Sequence, residues 1–133
     1  MKKKIRFVLT ATMLALFITG CATENNNEIV VVSREEGSGT RGAFIELFGI
    51  EEKDSNGNKV DKTTDEATVV NSTSVVMTTV AGNKNSIGYI SLGSLNDTVK
   101  AVKVDGVEPT VENIKNNTYK VFRPFNIATR DDI

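Results

Sequence analysis

Histidine is absent from this 133-residue sequence. The side chain that most often serves as a general base, and the commonest metal ligand, is therefore missing. With a single cysteine, Cys21, there is no Cys/His cluster for a zinc site, and an internal disulfide is impossible. Tryptophan is absent too, and aromatics are only 6% of the chain, too few for a platform on which bases or sugars stack. Long hydrophobic runs are scarce. The run from Phe7 to Ile18 is the main one, and it falls short of the roughly 20 apolar residues of a spanning helix. Charge of one sign is not in excess either, the formal net charge being −1.

What is present begins with a leader. Lys2, Lys3, Lys4 and Arg6 precede the apolar run, in the proportions of a signal peptide. Ile18-Thr19-Gly20-Cys21 then resembles the bacterial lipobox, in which the peptide is cut before a cysteine that carries diacylglycerol. The plainer alternative is a secretory signal with a chance cysteine. On the lipobox reading, residues 1–20 are the signal peptide, and Cys21 is lipidated and anchors the protein to the membrane from outside without spanning it. Residues 21–28, polar and asparagine-rich, are a flexible tether. Residues 29–133 form one domain. Losing Lys2, Lys3, Lys4 and Arg6 moves the net charge from −1 to −5. That acidic balance argues against nucleic acid as a partner. It does not forbid an anion held by local N–H groups.

Strand and helix signals alternate along the remainder, which implies an α/β fold. Strands are expected at 28–33, 67–70, 87–92, 99–104 and 121–127, the last with Pro124 suited to an edge. Helices are expected at 40–48, at 75–82 behind the capping residues Asn71-Ser72-Thr73-Ser74, and at 109–117. The polar stretch 51–66 reads as an exposed loop or hairpin turning at Ser55-Asn56-Gly57-Asn58. Asp105-Gly106 reads as another turn. Tyr89, Phe122 and Phe125 are expected in the core or at an interface between lobes.

The most informative segment is Ser33-Arg34-Glu35-Glu36-Gly37-Ser38-Gly39-Thr40-Arg41, directly after Ile29-Val30-Val31-Val32. A β-branched strand runs through a glycine turn into a helix, which gathers N–H groups and small hydroxyls at one point where the helix dipole favours negative charge. Arg34 adds a planar fork of donors suited to an oxyanion. Gly39 allows close backbone approach. The bland readings are that Ser38 and Thr40 simply cap the helix and that Arg34 makes a surface ion pair with Glu36. No lysine follows at the place a nucleotide P-loop requires. No histidine activates Ser38, and no Ser-x-x-Lys stands beside the turn, so an enzyme is not expected.

Five segments in order then resemble the phosphate-binding proteins of bacterial ABC importers. They are residues 33–41, Asn71-Ser72-Thr73-Ser74-Val75, Ala81-Gly82-Asn83, Ile87-Gly88-Tyr89-Ile90-Ser91-Leu92-Gly93-Ser94-Leu95 and Arg123-Pro124-Phe125-Asn126-Ile127-Ala128-Thr129. The resemblance implies one lobe of a type 2 periplasmic-binding-protein fold, a mixed sheet flanked by helices. It implies inorganic phosphate as ligand, with Arg34, Ser38, Gly39 and Thr40 as its contacts on this lobe. Glu36 would orient Arg34, and Ser72 and Thr73 would stand at the cleft. It also implies ABC permease subunits as partners, an extracytoplasmic location, and neither a cofactor nor a metal. Family members clamp the anion between two lobes, and here the arginine lobe follows the tether directly. The chain therefore resembles the front half of a circularly permuted member, or else a truncated gene product or a stand-alone half. A ligand-silent lipid-anchored interaction domain, or a lobe for another tetrahedral oxyanion such as sulfate, are the alternative readings.

Overall fold

The computed structural model describes residues 28–131. The signal peptide, Cys21 and nearly all of the expected tether lie outside the described residues.

Strand β1 (Val30–Arg34) is the centre of the molecule. Its run of valines suits a strand covered on both faces, and Val32 and Ser33 are both buried. Helix α1 (Gly39–Leu47) follows. Gly49, at φ +65°, stops it. The Gly49 and Ile50 N–H groups bond back to the Glu46 and Ile45 carbonyls at 3.2 and 2.8 Å, which closes the helix with a Schellman motif. Strands β2 (Glu51–Lys53) and β3 (Lys59–Asp61) form the antiparallel hairpin. Its loop is organised by Asp54, whose carboxylate accepts from the Asn56 and Asn58 N–H groups, each at 2.8 Å. Strand β4 (Thr68–Val70), helix α2 (Thr73–Gly82) and strand β5 (Ser86–Gly88) come next, and a short helix α3 (Val111–Lys115) is last.

The three-stranded sheet runs β4-β1-β5, all parallel, with Val32 beside both Thr68 and Gly88. Parallel neighbours require crossover connections, and α1 with the hairpin supplies one and α2 the other. The α/β class is as expected, with the antiparallel ladder among the described residues formed by the separate hairpin. Helix α2 approaches the sheet closely. A Cβ on Gly88 would lie 2.9 Å from Val76 Cγ1 and 3.3 Å from Val80 Cγ2. Val76, at the contact, is 2% exposed.

Three expected strands differ. The one at 87–92 is shorter and earlier, ending at Gly88, with a 3-10 turn at Leu92–Ser94. Beyond Gly88, the Arg34 N–H that faces this side of the sheet bonds to the Tyr89 hydroxyl, at 3.0 Å, instead of a β5 carbonyl. Residues 99–104 alternate as a strand would but have no ladder partner. They contribute only the Val104–Val107 bridge around Asp105 and Gly106, both at positive φ. Residues 121–127 are likewise outside any sheet. Pro124 offers no N–H there, and Phe125 is 98% exposed. Phe122 and Phe125 are therefore not core residues of the described chain, whereas Tyr89 is half-buried and stacks on Phe44. Among the described residues the buried apolar side chains are few: Val32, Ile45 and Val76. A groove of about 450 Å³, lined by Phe44, Phe48, Met77, Val80, Ile87 and Tyr89 among others, stays open beside the sheet.

Candidate functional site

The C-terminal end of β1, the turn after it and the start of α1 form a tight elbow. Gly37 takes φ +83°, a conformation that residues with a Cβ adopt only at a cost. The Ser38 N–H bonds to the Glu35 carbonyl at 3.2 Å and closes the turn. Ser38 is the N-cap of α1. Its Oγ accepts from the Arg41 N–H at 3.4 Å, and its carbonyl accepts from the Gly42 N–H at 3.0 Å. Gly39 and Thr40 are the first two residues of the helix, and their N–H groups find no acceptor among the described residues, as the geometry of a helix start dictates. Space around Gly39 is open: an added Cβ would meet nothing within 4 Å. Packing therefore does not require a glycine there, and the opening leaves room for a ligand against the backbone.

Arg34 closes the elbow from the strand side. Its Nε and one Nη donate to the two carboxylate oxygens of Glu35 at 2.8 and 2.9 Å, and its other Nη donates to Thr73 Oγ1 at 3.2 Å. A guanidinium has five N–H donors, so two remain for an external acceptor. The bidentate pair holds the Glu35 carboxyl below its ordinary range and raises Arg34 further, so both are charged at neutral pH. The Arg34 side chain is only 12% exposed.

Glu36 was expected to orient Arg34, and the structure corrects this to Glu35. The argument from alternate residues sharing a face holds only inside a strand, and β1 ends at Arg34. Glu35 already belongs to the turn, where the chain bends its carboxylate back beside the arginine. Thr73, at the first position of α2, meets Arg34 directly. Ser72 is the cap of that helix, accepting from the Val75 N–H at 3.3 Å. Two helix starts thus stand at one arginine.

Three more residues hold the elbow and carry no obvious signal in the sequence. The Tyr89 hydroxyl lies 2.8 Å from Ser33 Oγ and accepts from the Arg34 N–H, while its ring stacks on Phe44 with centroids 4.1 Å apart and planes 11° apart. Arg41 donates to the Arg34 carbonyl at 2.8 Å and to Asp61 Oδ2 at 2.9 and 2.7 Å. Asp61 arrives from the hairpin, 20 residues away. Burial opposes ionisation of Asp61, but hydrogen bonds from Thr63 and Arg41 outweigh it and keep the carboxyl below its usual value. Chemically the elbow is a set of donors suited to holding a small anion.

A model of the PBP superfamily domain matches residues 9–132. The phosphate-binding protein PstS 2 of Streptococcus agalactiae serotype V is 57% identical over 118 residues, covering 86% of this chain and 40% of that protein. The chain thus spans about two fifths of that relative's length. Among solved structures, a phosphate-binding protein of a phosphate ABC transporter from Streptococcus pneumoniae TIGR4 is 50% identical, with a TM-score of 0.66 over 68% of this chain and 35% of the other. A substrate-binding protein from Clostridium perfringens, solved with bound phosphate, is 47% identical, with a TM-score of 0.59 over 69% and 35%.

Proposed function

The chain belongs to the PBP superfamily, and on that premise we propose that it is one lobe of an extracytoplasmic phosphate receptor serving an ABC importer. The observation that carries the proposal is the elbow. Arg34 keeps two N–H groups unspent and the backbone at Gly39 is open; in this reading they join the N–H groups of Gly39 and Thr40 and the hydroxyls of Ser38 and Thr40 around one tetrahedral anion. Relatives named as phosphate-binding proteins support phosphate as that anion. In this reading Arg34, Ser38, Gly39 and Thr40 contact the ligand, Glu35 and Thr73 hold the arginine, and Ser72 fixes the start of α2. Glu36, beside them on the turn, adds negative charge near the site.

One lobe leaves the anion half in water, which competes strongly for its charge. A second lobe closing over it would raise affinity and give the two-state motion that passes cargo to permease subunits. Lipidation at Cys21 would hold the receptor at the outer surface of the membrane. No catalytic role is proposed, since nothing beside Ser38 activates it.

Calorimetric titration with inorganic phosphate tests the reading. Binding by this chain is expected to be weak, with Kd on the order of millimolar, and to disappear in Arg34→Ala. Adding the remainder of a relative's chain is expected to tighten it. If neither form responds to phosphate, the receptor reading fails. A response to sulfate equal to that for phosphate makes the site a general oxyanion cradle.

A further inference from the structure

Arg41 lies outside the donor set proposed to touch the ligand, yet it is better fixed than most surface arginines. It is the third residue of α1, and its side chain folds back past the helix start to the end of β1. There one Nη donates to the Arg34 carbonyl at 2.8 Å. Its Nε and other Nη grip a single oxygen of Asp61 at 2.9 and 2.7 Å. The second oxygen of Asp61 is taken by the Thr63 N–H at 2.7 Å and the Thr63 hydroxyl at 2.6 Å. A carboxylate satisfied from both sides cannot swing away, so this is not the mobile exposed pair that contributes almost nothing. Arg41 and Asp61 are 16% and 26% exposed.

The placement matters because of what surrounds Arg34. Its N–H goes to Tyr89, and the next N–H, that of Glu35, goes to the Val70 carbonyl at 3.1 Å. The Arg34 carbonyl is the remaining backbone group, and Arg41 is its nearer partner, the Ser33 hydroxyl lying at 3.5 Å. The last peptide of β1 is thereby held by β4, by the residue after β5, and by α1 acting with the hairpin. The hairpin is itself tied to the end of α1, since the Lys62 N–H bonds to the Ile50 carbonyl at 3.0 Å.

We infer that Arg41, held by Asp61 at the end of the β2–β3 hairpin, which Thr63 just beyond it fixes in turn, is a positioning residue. It locks the Arg34 peptide and so sets the aim of the guanidinium that receives the anion. The inference rests on the proposed phosphate site for its meaning, but its geometry can be read without ligand. The hairpin then has a role in the site although none of its residues touches the ligand.

The test uses the whole chain and the Nε–H signals of its arginines in nitrogen–proton spectra. The sequence has only five arginines, so the signals separate. Asp61→Asn and Arg41→Lys are expected to speed exchange of the Arg34 Nε–H with water about tenfold and to shift its resonance. Thr63→Val, which removes the hydroxyl bond to Asp61 Oδ1 and keeps the N–H bond, is expected to give a smaller effect and covers the case where Asp61→Asn does not fold. Glu51→Gln breaks the Lys59–Glu51 pair on the same hairpin and is expected to leave the Arg34 signal in place. If Arg41→Lys and Thr63→Val lower the melting temperature but leave the Arg34 Nε–H unchanged, the pair is only a staple for the hairpin and the inference falls. In the unaltered chain, inorganic phosphate is expected to move the Arg34 signal and not that of Arg41. An equal movement of Arg41 makes it a ligand contact and overturns the positioning role. No movement of either by phosphate defeats the receptor reading alone, because the exchange measurement still decides whether Arg41 positions Arg34.

Discussion

Arg34 spends three of its five donors inside the protein, on Glu35 and Thr73. That arrangement fixes the orientation of the fork before any ligand arrives, and it reduces the ordering cost of binding. A lysine at the same place keeps the charge and loses the fork. Arg34→Lys is therefore expected to fold normally but to weaken phosphate binding by about tenfold or more, as loss of a charge-assisted bidentate contact does. Calorimetry on the two forms side by side measures it. At Tyr89 the hydroxyl serves both Ser33 and the Arg34 N–H. Tyr89→Phe leaves those groups without their partner in a half-buried place, at about 1–3 kcal/mol. Urea unfolding is expected to show the loss as a lower midpoint with an unchanged slope.

Among the elements, α2 links the core to the site. Its middle presses on the sheet at Gly88, and its first residue, Thr73, meets Arg34. A Cβ on Gly88 would stand 2.9 Å from Val76 Cγ1, deep in the contact, so the helix must move outward. Gly88→Ala is expected to cost about 1–3 kcal/mol by overpacking and to pull Thr73 away from the arginine. Thermal melting reads the first effect, and the Arg34 Nε–H signal reads the second. The elbow element was readable from sequence because all its parts are consecutive: valines, Gly37 for the left-handed turn, Ser38 for the cap. The strands expected at 99–104 and 121–127 were not, because alternation marks a segment fit for a sheet without saying whether a neighbour exists to pair with it.

At the scale of the molecule, three depressed carboxyls, those of Glu35, Asp54 and Asp61, set the response to acid. Pairing with Arg34 lowers Glu35, and the bonds from Thr63 and Arg41 outweigh burial to lower Asp61. A depressed carboxylate adds stability above its unfolded pKa, about 4, and loses it as pH falls through the folded value. The melting temperature is thus expected to hold from about pH 7 to 5 and to drop below about pH 4. Asp61→Asn should melt lower at neutral pH, with its curve meeting that of the unaltered chain in acid. The same scale explains the thin core. Phe48, Ile87 and Val102 are exposed along the open groove, so native protein is expected to brighten a hydrophobic dye, and a silent dye would contradict the exposed face. What the sequence by itself determined is the chemistry of the elbow and the alternating α/β order, because turn, cap and dipole are local and need no distant partner. Only the tertiary structure decided that Glu35 rather than Glu36 holds Arg34, and that Tyr89, Thr73, Arg41 and Asp61 converge on it. Those contacts depend on where the parallel strands and the hairpin come to rest in space, and side-chain distance across a fold is not written in residue spacing.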